Sequence, residues 1–227
     1  MFCRILKDMK KVFGLIDCNN FYASCERVFD PSLRDTPIAV LSNNDGCVVA
    51  RTNEVKEMGV PMGAPYFKYK TQLEEGGVQV FSSNYALYGD MSRRVMNVLK
   101  KICPQVEVYS IDEAFIRLDG YLPEEEMEMY AKRIRASVWK YVGIPVSIGL
   151  GSTKTLAKVA NKLAKKSESG VVFLRSGEQV SEVLRDFPVG DIWGVGRRHA
   201  KKLHALGIQT AGELVALPDV EIRDVIR

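Results

Sequence analysis

The sequence is poor in the residues that build metal sites from cysteine and histidine. Its 227 residues include five cysteines and two histidines, and no two cysteines form a C-x-x-C pair. An odd number of cysteines argues against a complete disulfide framework. His199 and His204 have no cysteine or acidic partner at ligand spacing. We therefore expect no structural zinc site, which needs four ligands, and we predict reduced thiols in the core.

Long apolar runs are also missing. No run reaches the roughly 20 residues that a helix needs to span a bilayer. The first residues are charged, and they contain neither an apolar stretch of signal-peptide length nor a small-residue cleavage site. We therefore expect a cytoplasmic protein without a membrane partner. The formal net charge is only +4, so the overall charge balance indicates little about other partners.

The apolar periodicity predicts an α+β fold. A buried strand at 12–17 leads into a helix with Asn19 as its N-cap, and later strands at 106–110, 114–118 and 145–150 alternate with helices at 85–102 and 124–139. Strand, helix, strand, strand, helix, strand is the ferredoxin-like order, with 29–83 as an insertion after the first helix. Asp45-Gly46 between two apolar runs predicts a hairpin inside that insertion.

Three acidic residues stand at the ends of predicted strands. Asp17 ends the first strand, and Asp112 and Glu113 lie in the turn between two others. If these strands are neighbours, the three carboxylates converge, and a divalent cation removes their mutual repulsion. Neighbouring residues of a regular strand face opposite sides, so Asp112 and Glu113 both reach a metal only where the backbone bends. Taken alone, Asp-Glu is better explained as an ordinary polar strand end, because acids at strand ends are common.

Two basic segments predict contacts with phosphate. Lys154, Lys158 and Lys162 share one face of a predicted helix that carries no acid, an arrangement that an anionic partner would stabilise. Near the C-terminus, a glycine turn opens onto a basic helix, and a second helix follows Gly207, which is a helix–hairpin–helix pattern. Backbone amides at a helix start bind phosphate, and nearby cations strengthen the binding. The residues predicted to contact DNA there are Gly194, Gly196, Arg197, Arg198 and Lys201. Either segment alone could also be a solvated basic surface.

Together, these segments resemble the Y-family (translesion) DNA polymerases, and specifically their UmuC-like branch. The resemblance runs from about residue 9 to the end of the chain. The matching segments are Asp17-Cys18-Asn19-Asn20-Phe21-Tyr22-Ala23-Ser24-Cys25-Glu26, 40–51 (VLSNNDGCVVAR), Ser110-Ile111-Asp112-Glu113-Ala114, Ala157-Lys158-Val159-Ala160-Asn161 and Ile192-Trp193-Gly194-Val195-Gly196.

The resemblance implies a domain organisation. A ferredoxin-like palm would comprise 9–20 and 84–166, a small inserted fingers subdomain 21–83, and a partial helical thumb with the helix–hairpin–helix 167–227. Residues 1–8 precede the family's usual start, and the family's little-finger domain would be absent. We therefore expect weak, distributive binding to primer–template DNA.

The resemblance also implies roles for individual residues. They are Asp17, Asp112, Glu113 and the backbone carbonyl of Cys18 as ligands of two Mg²⁺ ions, with Mn²⁺ as a substitute, Tyr22 as a steric gate against ribonucleotides, and Asn53, Lys56 and Lys158 as triphosphate contacts. Asn53 departs from the tyrosine found in many relatives, whereas Lys56 keeps the positive charge.

The function implied is error-prone, template-directed DNA synthesis across damaged template, as part of the SOS response and DNA repair. Small residues at the predicted roof over the new base pair, namely Gly46, Cys47, Val48 and Ala50, fit low fidelity. The implied partners are primer–template DNA, deoxynucleoside triphosphates, a UmuD-type dimer, a recombinase filament and a sliding clamp. One alternative is a nucleotide cyclase, which shares the palm but lacks the helix–hairpin–helix. Another is a catalytically weak remnant that binds DNA or a partner.

Overall fold

The computed structural model describes residues 11–218 and residue 222. The predicted extension at 1–8 and the end of the predicted thumb lie outside the described residues. The strands are β1 (Phe13–Cys18), β2 (Ile38–Leu41), β3 (Val48–Arg51), β4 (Gln79–Phe81), β5 (Val106–Val108), β6 (Glu113–Arg117), β7 (Val146–Gly151) and β8 (Val171–Phe173). The helices are α1 (Phe21–Phe29), α2 (Asn53–Glu57), α3 (Tyr66–Glu75), α4 (Tyr85–Ile102), α5 (Glu124–Val142), α6 (Lys154–Ala164), α7 (Gly177–Asp186), α8 (Arg197–Ala205) and α9 (Ala211–Val215).

Within the described ranges, the strands form a five-stranded sheet of order β5-β6-β1-β7-β8 and a three-stranded sheet of order β3-β2-β4. In chain order, β1, α1, β5, β6, α5 and β7 follow the predicted ferredoxin-like pattern, and β2 to β4 lie in the predicted insertion. The prediction of an α+β fold is confirmed. None of the described helices has both the length and the apolar character that crossing a bilayer requires.

The chain divides into two compact units. One unit comprises Ile16–Ile116 and Met129–Ser147, and the other comprises the chain up to Leu15, Arg117–Glu128 and the chain from Ile148 onward. The boundaries predicted for palm, fingers and thumb differ from this division and stay a prediction.

In the unit that contains Ile16–Ile116, the three-stranded sheet carries the predicted hairpin. β2 pairs with β3 antiparallel and with β4 in parallel. Asp45 adopts a φ of 54°, the left-handed conformation that a tight turn demands and that aspartate tolerates. The buried side chains of this subdomain are Ala39, Leu41, Val48, Val55, Val60, Ala64 and Leu73. The hairpin prediction is confirmed, and the small core fixes α2 against the sheet.

In the other unit, α6 crosses from β7 to the parallel strand β8. Val159 and Ala160 on its apolar face pack against Leu184 and Phe187 from the end of α7. A second cluster of Val189, Leu203 and Ile208 lies beneath α8. The helix–hairpin–helix therefore has a small core of its own.

Gly149 in β7 allows α6 to approach the strand closely. A Cβ atom at this position would lie 2.0 Å from the backbone nitrogen of Asn161 and 2.3 Å from the carbonyl oxygen of Ala157. Backbone atoms inside a helix cannot yield as a flexible side chain does, so only glycine fits.

We expect Gly149→Ala to lower the free energy of unfolding by about 3 kcal/mol or more, since overpacking against a rigid backbone lies at the upper end of such costs. Urea unfolding, monitored by circular dichroism, measures this loss of stability. The matched control is Gly177→Ala at the start of α7, where nothing lies within 4 Å of the added Cβ. Equal stability of the two variants would contradict the close approach.

Candidate active site

The predicted metal ligands lie where β1 meets the turn before β6. The backbone N–H of Cys18 donates a hydrogen bond of 2.9 Å to the carbonyl oxygen of Asp112. Asp17, the preceding residue, is buried with 7% of its surface exposed, whereas Asp112 and Glu113 are half-buried. The structure therefore makes the end of β1 and the Asp112 turn direct neighbours, although they are far apart in sequence.

The turn before β6 is a bend that Ser110 holds together. The Ser110 hydroxyl donates to Asp112 Oδ1 at 2.6 Å and accepts from the backbone N–H groups of Asp112 and Glu113 at 3.3 and 3.0 Å. The N–H groups of Tyr109 and Ser110 both donate to the carbonyl oxygen of Glu113. β6 begins only at Glu113. The bend required for both acids to face one site is therefore present.

Within the described part of the chain, no three or more His, Cys, Asp or Glu side chains are grouped so as to hold a metal ion. The segments that carry the predicted carboxylates are joined by the Cys18–Asp112 backbone hydrogen bond, but the three side chains do not form such a group. Their donor chemistry still fits Mg²⁺, which is typically bound by one or two carboxylates together with substrate phosphates. A preformed cage of three acids is not needed for such a site.

The loop after β1 contradicts the predicted N-cap of the first helix. Asn19 was predicted as the N-cap of the first helix, and this is wrong. Asn20 occupies the cap position with a φ of 49°, and its side chain makes no cap hydrogen bond. Asn19 instead accepts at Oδ1 from Ser147 Oγ at 2.9 Å, and its N–H donates to the carbonyl oxygen of Pro145. Tertiary contacts, not capping, determine its conformation.

Asn20 joins the two predicted triphosphate contacts of α2. Lys56 Nζ donates to Asn20 Oδ1 at 2.6 Å and to Asn53 Oδ1 at 3.1 Å. Asn20 Nδ2 donates to Asn53 Oδ1 at 3.3 Å. Asn53 and Lys56 are both exposed. The structure thus brings Asn53 and Lys56 to the loop that follows Asp17 and Cys18, and it adds Asn20, which the sequence analysis missed.

Tyr22 is the central ring of an aromatic group between α1 and α4. It stacks on Tyr88 with ring centroids 4.2 Å apart and an interplanar angle of 13°, and it meets Tyr85 edge-on at 6.3 Å. The Tyr88 hydroxyl donates to Glu26 Oε1 at 2.7 Å. Glu26 lies one turn beyond Tyr22 on α1, so the ring that stacks on Tyr22 is tied to the helix that carries it.

The surroundings of Tyr22 and Tyr88 shift the pKa values of their hydroxyl groups. Burial raises the pKa of the Tyr22 hydroxyl above its usual value, and the negative charges of ionised Tyr85 and Asp112 raise it further. Burial and the hydrogen bond to Glu26 likewise raise the pKa of Tyr88. Tyr22 therefore lies within electrostatic reach of Asp112.

Most of the described cysteine side chains are buried. Burial raises the pKa of the Cys25 thiol to about 12, with a smaller contribution from the charge of Glu26. Among the described cysteines, Cys18, Cys25 and Cys103 are buried and Cys47 is half-buried, and none of these four belongs to a disulfide. The predicted core location is confirmed for Cys18, Cys25 and Cys103, whereas their reduced state stays a prediction. A raised thiol pKa disfavours the reactive thiolate.

The lysine row of α6 belongs to the second compact unit. Lys154, Lys158 and Lys162 are all half-buried rather than fully solvated. Lys158 Nζ lies 5.5 Å from the centre of the Trp193 ring. Lys162 pairs with Asp191, so the row does meet an acid, contributed by a later segment of the chain.

The helix–hairpin–helix has the geometry that the glycines predicted. Gly194 has a φ of 96°, which only glycine adopts without strain, and Val195 N–H closes the turn on the carbonyl oxygen of Ile192 at 2.9 Å. Gly196 caps α8. The predicted cations Arg197, Arg198 and Lys201 are exposed, so an external anion can reach them.

The structure contradicts part of the predicted surface over the new base pair. Val48 has no exposed surface and Ala50 has 9%, because alternate residues of β3 face the core of the three-stranded sheet. Gly46 is exposed and Cys47 half-buried. Only these last two of the four small residues can border a ligand in this structure.

Comparison with known proteins decides the family. Residues 16–162 match the family described as "impB/mucB/samB family", and residues 178–208 match "IMS family HHH motif". The first match alone covers more than half of the sequence. The chain belongs to the impB/mucB/samB family. The predicted membership of the Y-family polymerases and the predicted helix–hairpin–helix are confirmed, and the nucleotide cyclase alternative is excluded.

Relatives within the family share much of this sequence. The chain is 50% identical to Protein UmuC of Salmonella typhimurium over 206 residues, covering 89% of this chain and 49% of that protein. It is 47% identical to Protein ImpB of Salmonella typhimurium, covering 93% and 51%. It is 35% identical to DNA polymerase IV 1 of Bacillus subtilis, covering 93% and 50%. The chain spans about half the length of these curated relatives.

Solved structures of the family agree with the fold. The structure called "Insertion ternary complex of Dbh DNA polymerase" matches with a TM-score of 0.82 at 25% identity, covering 95% of this chain and 63% of that one. DinB from Sulfolobus solfataricus matches with a TM-score of 0.80 at 26% identity, covering 94% and 62%. These matches confirm the predicted palm-type architecture with its fingers and thumb elements, whereas the roles assigned to individual residues stay predictions.

Proposed function

We propose that this chain carries the nucleotidyl-transfer site of a template-directed DNA polymerase that copies damaged DNA. The observation that carries the proposal is the hydrogen bond from Cys18 N–H to the carbonyl oxygen of Asp112, which sets two acid-bearing segments side by side. Family relatives named DNA polymerase IV and Dbh DNA polymerase support the same reaction class. Error-prone synthesis in DNA repair and the SOS response is part of the proposal, as the resemblance to the UmuC-like branch implies.

In this proposal, Asp17, Asp112, Glu113 and the backbone carbonyl of Cys18 hold two Mg²⁺ ions, which Mn²⁺ can replace. When bound, such ions supply charge neutralisation for an in-line displacement at phosphorus. Asp17 is buried at the end of β1. Ser110 keeps the Asp112 carboxylate oriented through its hydroxyl.

The remaining residues bind and orient the nucleotide. Lys56, with Asn53 and Asn20 as its hydrogen-bond partners, forms one polar contact for the triphosphate, and Lys158 forms another. Tyr22 is the proposed steric gate, whose ring would clash with a ribose 2′-hydroxyl. Phosphoryl transfer depends mostly on positioning and charge neutralisation, which these side chains provide without covalent chemistry.

The direct test is extension of a labelled primer on an undamaged template and on one with an abasic site. We expect addition of deoxynucleotides in the presence of Mg²⁺ or Mn²⁺ and none in the presence of EDTA. The second candidate, a remnant that only binds DNA or a partner, predicts binding of primer–template without any extension.

Primer–template DNA and deoxynucleoside triphosphates are the proposed ligands of this chain. A UmuD-type dimer, a recombinase filament and a sliding clamp are proposed partners of the whole protein, and the cytoplasm is its proposed location. These proposals are what the resemblance to the UmuC-like branch implies, and this chain spans 49% of the length of Protein UmuC.

We expect the affinity for primer–template DNA to fall steeply with salt, because neutralised phosphates release counterions. Arg198→Ala should reduce the slope of log K against log [salt] by about one, since it removes one exposed phosphate contact. Fluorescence anisotropy over a series of KCl concentrations measures the slope. The matched control is Arg133→Ala, an exposed arginine on α5. A flat salt response, or equal slopes for both variants, would contradict the assignment of the α8 cations.

A further inference from the structure

The indole ring of Trp193 lies close to Lys158, the lysine proposed to contact the triphosphate. Lys158 Nζ is 5.5 Å from the centre of the indole ring, within the distance at which an ammonium is attracted by an aromatic face. Tryptophan attracts cations more strongly than the other aromatic residues do. Trp193 is 40% exposed, so part of its surface is open to solvent.

The segment that carries Trp193 is fixed on α6. Ile192, its neighbour, packs into the cluster that contains Val159 and Ala160 of α6. On its other side, Gly194 holds the turn through its positive φ. The indole is thus attached to the helix of Lys158 by apolar packing that does not depend on the lysine.

The next lysine of the row is engaged in the same way. Lys162 lies one turn after Lys158, pairs with Asp191 and sits 5.5 Å from the centre of the Phe187 ring. Two successive lysines of α6 therefore each meet an aromatic ring from one segment, 187–193. This repetition indicates that the segment orients the basic face of α6.

We propose that Trp193 is a positioning residue that holds the Lys158 ammonium ready for the triphosphate. This inference rests on the proposed function. A lysine side chain loses conformational freedom when it binds phosphate, so a contact that restricts it beforehand strengthens binding. The ring face attracts the ammonium without using an acceptor atom, and the ammonium has three N–H donors. Phosphate oxygens can therefore accept from Lys158 while the indole stays in place.

Trp193→Leu removes the aromatic face and keeps an apolar side chain. We expect the KM for deoxynucleoside triphosphate to rise about 3- to 10-fold while kcat stays within about 2-fold, the range that a cation–π contact supports. Trp193→Phe should restore part of the loss. The measurement uses saturating primer–template, because Trp193 adjoins the glycines proposed to contact DNA. Trp139→Leu, which removes the other tryptophan, is the matched control and should leave KM unchanged.

A double-mutant cycle identifies the residue through which Trp193 acts. In a Lys158→Ala background, Trp193→Leu should cause no further rise in KM, because the ammonium it positions is gone. The same rise in both backgrounds would overturn the proposal, since Trp193 would then act on another group.

A binding measurement separates this inference from the proposed function. Trp139→Phe leaves Trp193 as the sole tryptophan of the sequence. Its emission should change in a saturable manner when dATP and Mg²⁺ are added, and Lys158→Ala should abolish the change. Failure of the chain to extend a primer would overturn the proposed polymerase function, with the emission response still deciding the role of Trp193. Primer extension combined with an unchanged emission and an unchanged KM of Trp193→Leu would overturn the positioning role alone.

Discussion

Asp112→Asn and Asp112→Ala are both expected to reduce nucleotide incorporation by about 10³-fold or more, because each removes a negative charge from the proposed metal site. The asparagine variant is the more informative of the two. Its side-chain oxygen can still accept the hydrogen bond that Ser110 donates to Asp112 Oδ1, so the bend before β6 should persist. Single-turnover primer extension measures the loss, and thermal unfolding checks that the fold is retained.

An exposed acid outside the site provides the control. Asp35→Ala removes one negative charge from the surface of the same compact unit and should leave incorporation unchanged. Wild-type incorporation by Asp112→Asn would remove Asp112 from the metal site. A loss in Asp112→Ala together with full activity in Asp112→Asn would assign Asp112 to the structure of the turn and not to the chemistry.

Tyr22→Ala should raise incorporation of ribonucleotides relative to deoxynucleotides by about 100-fold, the scale on which a shaped pocket discriminates between similar substrates. The physical reason is that the ring would occupy the space of the 2′-hydroxyl. Its position is set by stacking on Tyr88 at 4.2 Å. The ratio of kcat/KM for a ribonucleotide and its deoxynucleotide opposite one template base measures the change.

Tyr22→Phe is the matched variant for this prediction. It keeps the ring and the stack on Tyr88 and removes only the hydroxyl, so sugar discrimination should stay within a few-fold of the wild type. Discrimination lost equally in Tyr22→Phe and Tyr22→Ala would show that the hydroxyl, and not the bulk of the ring, selects the sugar. Unchanged discrimination in Tyr22→Ala would remove Tyr22 as the gate.

The residues of the proposed site differ in whether the sequence alone could identify them. Asp112, Glu113 and Tyr22 could be selected from local sequence, since each lies in a segment that resembles a family motif. Ser110, Asn20 and Tyr88 could not be assigned roles, because a serine, an asparagine and a tyrosine in these settings are ordinary residues until their partners are known. Tyr85 and Tyr88 begin a helix three residues apart, which is the one local signal that could have marked them as neighbours on one face.

Asn19 and Val48 show where local reasoning fails. Asparagine before a helix is a common N-cap, but the contacts of Asn19 with Ser147 and Pro145 outweigh that tendency. Val48 lies in a segment with a family resemblance, but the alternation of side chains along β3 directs it into the core.

The sequence by itself determined the fold class, the family and the acidic and basic residues available for chemistry, because periodicity, glycine positions and five motif segments are local properties of the chain. Only the tertiary structure decided which of these residues come into contact. The Cys18–Asp112 hydrogen bond joins two residues that are far apart in the sequence. The contact of Lys158 with Trp193 joins a helix to a later turn. Such pairings depend on how strands and helices pack, and the packing of distant segments leaves no signal in the sequence near either residue.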